Sequence, residues 1–272
     1  MPSKTIKAAR SLNQRTPRSQ ARSESDRDQP GTIEITATDG ALIATLKRPA
    51  LHNRISAAMA RQLIELAEAV EDDESITTLA ISGDGSCFCG GFDPDVDPKL
   101  VESLAIVSKP TIAVLNGDAS DEGLELAMAL DLRVASSKCR LALTQLARGE
   151  LPRFGGTQRL PRLIGAAHAL RMILTGDAID GAEAARLGLV TYLARDRAGL
   201  DRLVRGLLKT LSEKGPLALR LVKDAVRNGY DMTVEQGIRL EEDLYALLQT
   251  SADRAEGVRA FLEKRKPLFK GA

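Results

Sequence analysis

Two short, largely apolar runs, ITTLAIS at 76–82 and PTIAVL at 110–115, constrain the fold of this chain most strongly. Runs of this length and composition are what strands buried on both faces of a parallel sheet show. Around them, patterns of helical and extended period alternate. TIEITATDGALIATLKRP reads as a hairpin, with Ile33, Ile35 and Ala37 on one face and an Asp39-Gly40 turn. Met59, Leu63, Ile64, Leu66, Ala67 and Val70 recur at helical spacing over 56–72, with Ser56 as the cap. Further helix is expected at 122–130 and 164–174, and a strand near 132–136. Four helices follow, at about 199–211, 215–228, 232–249 and 252–265. Strand and helix alternation giving way to helices alone predicts an α/β core followed by a helical region.

Composition narrows the class. The 272 residues suffice for one large domain, or one domain with an appendage. Lysine plus arginine total 38 against 37 acidic residues, a balance that points to no polyanionic partner, and tryptophan is absent, so nucleic-acid binding is not expected. No run approaches the roughly 18 apolar residues of a membrane span. The three cysteines, Cys87, Cys89 and Cys139, are too few and too unevenly placed for a disulfide framework and suit a reducing, cytoplasmic setting. Cys87 and Cys89 have no second cluster with which to build a metal site. Residues 1–31 stand apart: six Lys or Arg precede the first acidic residue, Glu24. They read as a disordered tail, with an Arg- and Ser-rich organelle presequence as the alternative.

The chemistry concentrates in SCFCGGFD (86–93) and NGDASDEGLELA (116–127). Each sets glycine-loosened backbone directly after an apolar run, and the second then opens a helix. Gly90 and Gly91 permit close approach of a ligand to the main chain. The N–H groups of Phe92 and Glu122 are expected as free donors, the latter at a positive helix end. Such amides can stabilise an oxyanion that exists only during reaction. Glu125 lies on a helix that is apolar nearly all round, so its carboxylate must be paired, neutral or facing a polar cavity. A salt bridge to Arg133 or Arg140 and a proton-exchanging role with a raised pKa are both open on this pattern.

These two segments, with LKRPALHNRIS (46–56), RGELPRFGGTQRLPRLIG (148–165), LTGDAIDGAEAARLGLV (174–190) and EGVRAFLEKRKPLFK (256–270), resemble the crotonase (enoyl-CoA hydratase/isomerase) family in order and spacing from about residue 33 to the end. The resemblance implies a spiral of repeated ββα units over 32–197 and a helical region over 198–272 that trimerises, often as a dimer of trimers. It implies an acyl-CoA thioester as substrate and no cofactor beyond the coenzyme A carried by that substrate. FCGGFD is similar to the family's FCAGAD, making Phe92 the first oxyanion amide, with Gly90 and Asp93 beside it. NGDASDEGLELA is similar to NGYALGGGCELA, making Glu122 the second, Gly123 the glycine after it, and Glu125 the first catalytic glutamate. Leu51 and His52 fall where the family's backbone meets the CoA nucleotide. Phe261 and Lys264 fall where a neighbouring subunit approaches the adenine and phosphates.

Three departures qualify the inherited chemistry. Gln145 stands at the second catalytic glutamate, and an amide cannot exchange a proton as a carboxylic acid does. Asp121-Glu122-Gly123 replaces three glycines, and the Glu122 side chain is expected to turn away from the site or be held neutral. The segment between Asp93 and Asn116 is short and carries Pro94 and Pro98, so the helix that usually shapes the acyl pocket is expected to be missing. Hydration of a 2-enoyl-CoA is the leading expectation. A one-base double-bond isomerase and a non-catalytic CoA-binding protein are the alternatives.

Overall fold

The computed structural model describes residues 31–38 and 40–271. The expected basic tail, apart from Gly31, and the Asp39 half of the first turn lie outside the described residues. Strands β1 (Thr32–Thr38) and β2 (Ala41–Lys47) pair antiparallel, with Ile33 opposite Leu46 and Ile35 opposite Ala44. Ile33 and Ile35 are buried but Ala37 is exposed, so the expected alternation stops one residue early. The cause is coverage. The next helix reaches the Ile33 end, where the Ile33 N–H donates to Gln62 Oε1, whereas Ala37 sits at the turn.

After a single 3₁₀ turn (Pro49–Leu51) comes α1 (Ala57–Asp72), started by Ser56 Oγ accepting from the Met59 N–H at 3.3 Å. It buries Met59, Ala60, Leu63, Leu66, Ala67 and Val70, the 3.6-period stripe read from sequence. Next follow β3 (Thr78–Gly83), β4 (Cys87–Cys89), α2 (Lys99–Ala105), β5 (Thr111–Leu115), β6 (Asp118–Ser120) and α3 (Glu122–Ala129). Then come β7 (Leu132–Ser136), β8 (Arg140–Ala142), a 3₁₀ segment (Gln145–Arg148), α4 (Gly156–Ile164), α5 (Ala166–Thr175), β9 (Ile179–Asp180), α6 (Gly181–Leu187) and β10 (Tyr192–Ala194). The chain closes with α7 (Arg197–Ser212), α8 (Pro216–Gly229), α9 (Val234–Gln249) and α10 (Ala252–Leu262).

Two expectations are corrected. A helix does occupy the segment between Asp93 and Asn116: α2 plants Leu100, Val101 and Leu104 in the core. Its seven residues are shorter than the window in which helical period is visible. No helix is expected at 156–164, where α4 lies; the helix expected at 164–174 is α5, its start set at Ala166 by Gly165, which at φ 80° ends α4 and caps α5.

Six strands form the larger sheet in the order β1-β2-β3-β5-β7-β10, parallel from β2 onward. β3 and β5 are buried along their whole length, as their composition predicts. On one face Ala80, Ile112, Val114 and Val134 pack against Leu200, Val204 and Leu208 of α7. The other face carries the main core. β4, β6, β8 and β9 make a second, smaller sheet, in which β4, β6 and β8 run parallel. Each of those three strands has three residues and ends at a segment singled out above. Parallel strands point their carboxyl ends the same way, and that common end is where α/β sheets place their ligands. The smaller sheet therefore gathers Phe92, Glu122 and Gln145 from three separate parts of the chain.

Candidate active site

Glu125 is fully buried one turn into α3. Neither Arg133 nor Arg140 pairs with it. Arg133 donates instead to the carbonyls of Leu189 (2.6 Å) and Leu130 (2.8 Å), and the Arg140 side chain is exposed. Main-chain amides do the work of a cation. The N–H groups of Phe154 and Gly156 donate to Glu125 Oε1 at 2.8 and 2.7 Å, and Gln145 Nε2 donates to Oε2 at 3.1 Å. Desolvation pushes the Glu125 pKa upward, the two amides pull against it, and the nearby Glu122 carboxylate adds a smaller upward push. The net direction is up, which suits a group that takes and returns a proton near neutrality.

Gln145 is almost wholly buried, and its Oε1 has no hydrogen-bond partner among the described residues. Glu125 Oε2 accepts one bond of the two its lone pairs allow. An acceptor on each side chain thus remains open, the number that a single water molecule with two O–H groups satisfies.

Gly123 explains how α3 can lie so close to β4. A Cβ built there would be 2.2 Å from the Cys89 carbonyl oxygen, so only glycine fits. Phe92 follows β4 and is nearly buried. Its ring packs on Phe154 at 5.2 Å, which ties the first amide to the loop that holds Glu125. The Glu122 N–H, at the first turn of α3, has no acceptor among the described residues.

The Phe92 N–H is not free, and the Glu122 side chain does not turn away. Glu122 Oε2 accepts from the Phe92 N–H at 3.4 Å, a long bond, and the carboxylate is half-buried. The helix's own positive end draws the carboxylate back over its N-terminus. Asp121, beside it, holds φ 51° and ψ −124°, a conformation that costs a residue with a Cβ. Its carboxylate is anchored by Thr144 Oγ1 at 3.0 Å and Arg148 at 3.1 Å, contacts that fix the first turn of α3 where glycine is absent.

The remaining residues divide in two. His52, at φ 51°, accepts the Gly90 N–H on its carbonyl at 2.8 Å, so Leu51, His52 and Gly90 border the Phe92 loop. Asp93 pairs with Arg48 and Arg54 and braces that loop. Phe261 is 83% exposed near the end of α10, and Lys264 follows it at φ 53°; within one chain neither is hydrogen-bonded to the site. Burial raises the Cys87 thiol to about 11 and the Cys89 and Cys139 thiols to about 12, which keeps all three protonated and inert. The residues that sequence reasoning missed are Phe154, Arg54 and the Thr144–Arg148 pair. The only signal was Gly155-Gly156, whose backbone freedom lets two amides converge on one oxygen.

Known proteins resemble this chain over most of its length. The family model for enoyl-CoA hydratase/isomerase matches residues 36–272. The 2,3-dehydroadipyl-CoA hydratase of Escherichia coli (strain K12) is 35% identical over 243 residues, 85% of this chain and 95% of that protein. The (E)-benzylidenesuccinyl-CoA hydratase of Thauera aromatica is 35% identical over 258 residues, covering 89% and 100%. The crystal structure of enoyl-CoA hydratase from Bacillus anthracis superposes with a TM-score of 0.85 at 30% identity, covering 90% of this chain and 100% of that one. A buried carboxylate on amides, two loops converging at one end of parallel strands, and these likenesses together establish that the chain belongs to the enoyl-CoA hydratase/isomerase family and has the crotonase fold.

Proposed function

We propose that the protein hydrates a 2-enoyl-CoA. The reading rests on one observation: a fully buried glutamate with an open acceptor site lies beside a buried amide oxygen that has no partner. A water donating to Glu125 Oε2 and Gln145 Oε1 has its own lone pair free for C3 of the enoyl group. As the C3–O bond forms, Glu125 takes a proton from the water, and the electron pair of the C2–C3 bond moves to the thioester oxygen. The N–H groups of Phe92 and Glu122 then receive that oxygen. Glu125 or solvent returns a proton to C2, and the enolate collapses to the hydroxyacyl thioester. Gln145 moves no proton; it holds the carboxylate and orients the water.

Coenzyme A enters as part of the substrate, with Leu51, His52 and Gly90 bordering its path and Phe261 and Lys264 reaching it from another subunit. Self-association through α8 and α9 is part of the same proposal. Val222, Val226, Tyr230 and Ile238 are all exposed there, an apolar surface of the kind that marks an interface. Hydration in ¹⁸O-labelled water tests the reaction: the 3-hydroxyl of the product carries the label, and Glu125→Gln slows its formation by about 10²–10⁴-fold. Undiminished turnover in Glu125→Gln would remove this mechanism.

One observation favours a second reading. Gln145 leaves Glu125 as the proton-transferring carboxylate held in this amide cradle, which is what a one-base double-bond isomerase needs. A 3-enoyl-CoA substrate converted to the 2-enoyl isomer without label uptake would select it.

A further inference from the structure

The Glu122 carboxylate sits where a thioester oxygen has to go, and this bears directly on the acyl-CoA reading given above, on which it rests. Its bond to the Phe92 N–H is long, at 3.4 Å, and the group is not closed in by other protein donors. Arg54 lies against the same loop. Its Nη1 donates to the Gly90 carbonyl at 3.2 Å, Nη2 donates to the Phe92 carbonyl, and Nε donates to Asp93 Oδ1 at 3.5 Å. A guanidinium has five N–H donors, so two remain. Glu122 and Arg54 do not form an ion pair, yet they flank one point. A Cβ built at Gly91 would lie 2.6 Å from Glu122 Oε2 and 3.1 Å from Arg54 Nη1. Gly91, at φ 113°, supplies the empty space between them.

We propose that Glu122 occupies the first oxyanion donor in the unliganded enzyme and that the thioester oxygen displaces it onto Arg54. Glu122 is then a specificity-determining residue. Its carboxylate competes for the Phe92 N–H, so only a ligand whose carbonyl is seated against both amides moves it. Free coenzyme A, which lacks the thioester carbonyl, leaves it in place. The ion pair with Arg54 formed on displacement compensates for the lost hydrogen bond and removes negative charge from the neighbourhood of the developing enolate.

The test measures dissociation constants for acetyl-CoA and for free coenzyme A by calorimetry on the full chain. The quantity read is the ratio of the two constants, which cancels the general effect of removing a charge near a polyanionic ligand. Glu122→Ala is expected to shift that ratio about ten-fold in favour of acetyl-CoA, the size of one hydrogen bond to a charged group. Glu122→Gln is expected to shift it the same way by less, since a neutral amide oxygen accepts more weakly. Arg54→Ala is expected to shift it the opposite way, and to have no effect once Glu122 is already alanine, a non-additivity that a merely structural arginine would not give. An unchanged ratio in Glu122→Ala, or additive effects in the double variant, overturns the exchange while leaving acyl-CoA chemistry standing. Failure of wild type and all variants to bind either compound overturns both.

Discussion

Helix α3 buries Glu125 completely and satisfies it with main-chain amides, whereas α8 buries no residue and leaves Val222 and Val226 in the open. Each element runs against the usual division of polar outside and apolar inside. In α3 a polar group is held in the core, and neighbouring backbone offsets its desolvation. In α8 the attachment itself is polar. Lys223 meets Asp131 Oδ2 at 2.6 Å, Arg227 meets Oδ1 at 3.2 Å, and Arg227 also donates to the carbonyls of Ala105 and Ala129. Asp131 in turn accepts from Thr111 N–H and Oγ1 at 2.7 and 2.9 Å, which roots the contact in the larger sheet. One region thus satisfies a buried carboxylate with main-chain amides, and the other attaches through half-buried charges and leaves apolar side chains exposed.

The comparison can be broken at either end. Glu125→Gln should lower kcat by about 10²–10⁴-fold, the usual worth of a general base, with the thermal transition still cooperative. Because the carboxylate must be ionised to take a proton and its pKa lies above the ordinary 4.5, the acid limb of kcat should fall above that value. Steady-state rates against pH check both. At the other end, Asp131→Ala strands two cations against the sheet and should cost about 3 kcal/mol in urea unfolding. Proteolysis should then cut first within residues 213–233, and the site would survive longer than the helices.

Lys109 gives the smallest and most diagnostic effect, because it ties α8 to the end of α1. Its Nζ donates to the carbonyls of Val70 and Asp73 at 2.6 Å, closing the end of α1, while its own carbonyl accepts from Lys223 at 2.8 Å. Desolvation, aided by the charge of Arg220, lowers its pKa from 10.5 to about 8. Between those values the unfolded chain binds a proton that the folded chain has released, so stability rises with pH across that window. Raising the pH by one unit within that window should raise the unfolding free energy by about 1 kcal/mol, a gain absent in Lys109→Met.

The parts legible in the sequence were those set by local pattern. β3, β5, β7, α1 and the four terminal helices follow from period and composition, and the glycine-loosened loops at Phe92 and Glu122 follow from residue type. What escaped depends on distant contacts. Glu125 finds its amides 29 and 31 residues further on, and no spacing rule announces that. Repulsion of an enolate predicts a Glu122 side chain turned away, but before reaction no enolate is present and the carboxylate takes the Phe92 N–H. Asp121 in a glycine-like conformation was unreadable without Thr144 and Arg148, which hold it there.

Gly123 sets the spacing of the two donor loops by main chain against main chain, with no rotamer to yield between helix and strand. The interval between the Phe92 and Glu122 amides therefore has a hard lower stop that side-chain replacement elsewhere cannot loosen. Of three consecutive positions, the first two could take on acids and new duties, while the third works as a gauge block that admits no thickness at all.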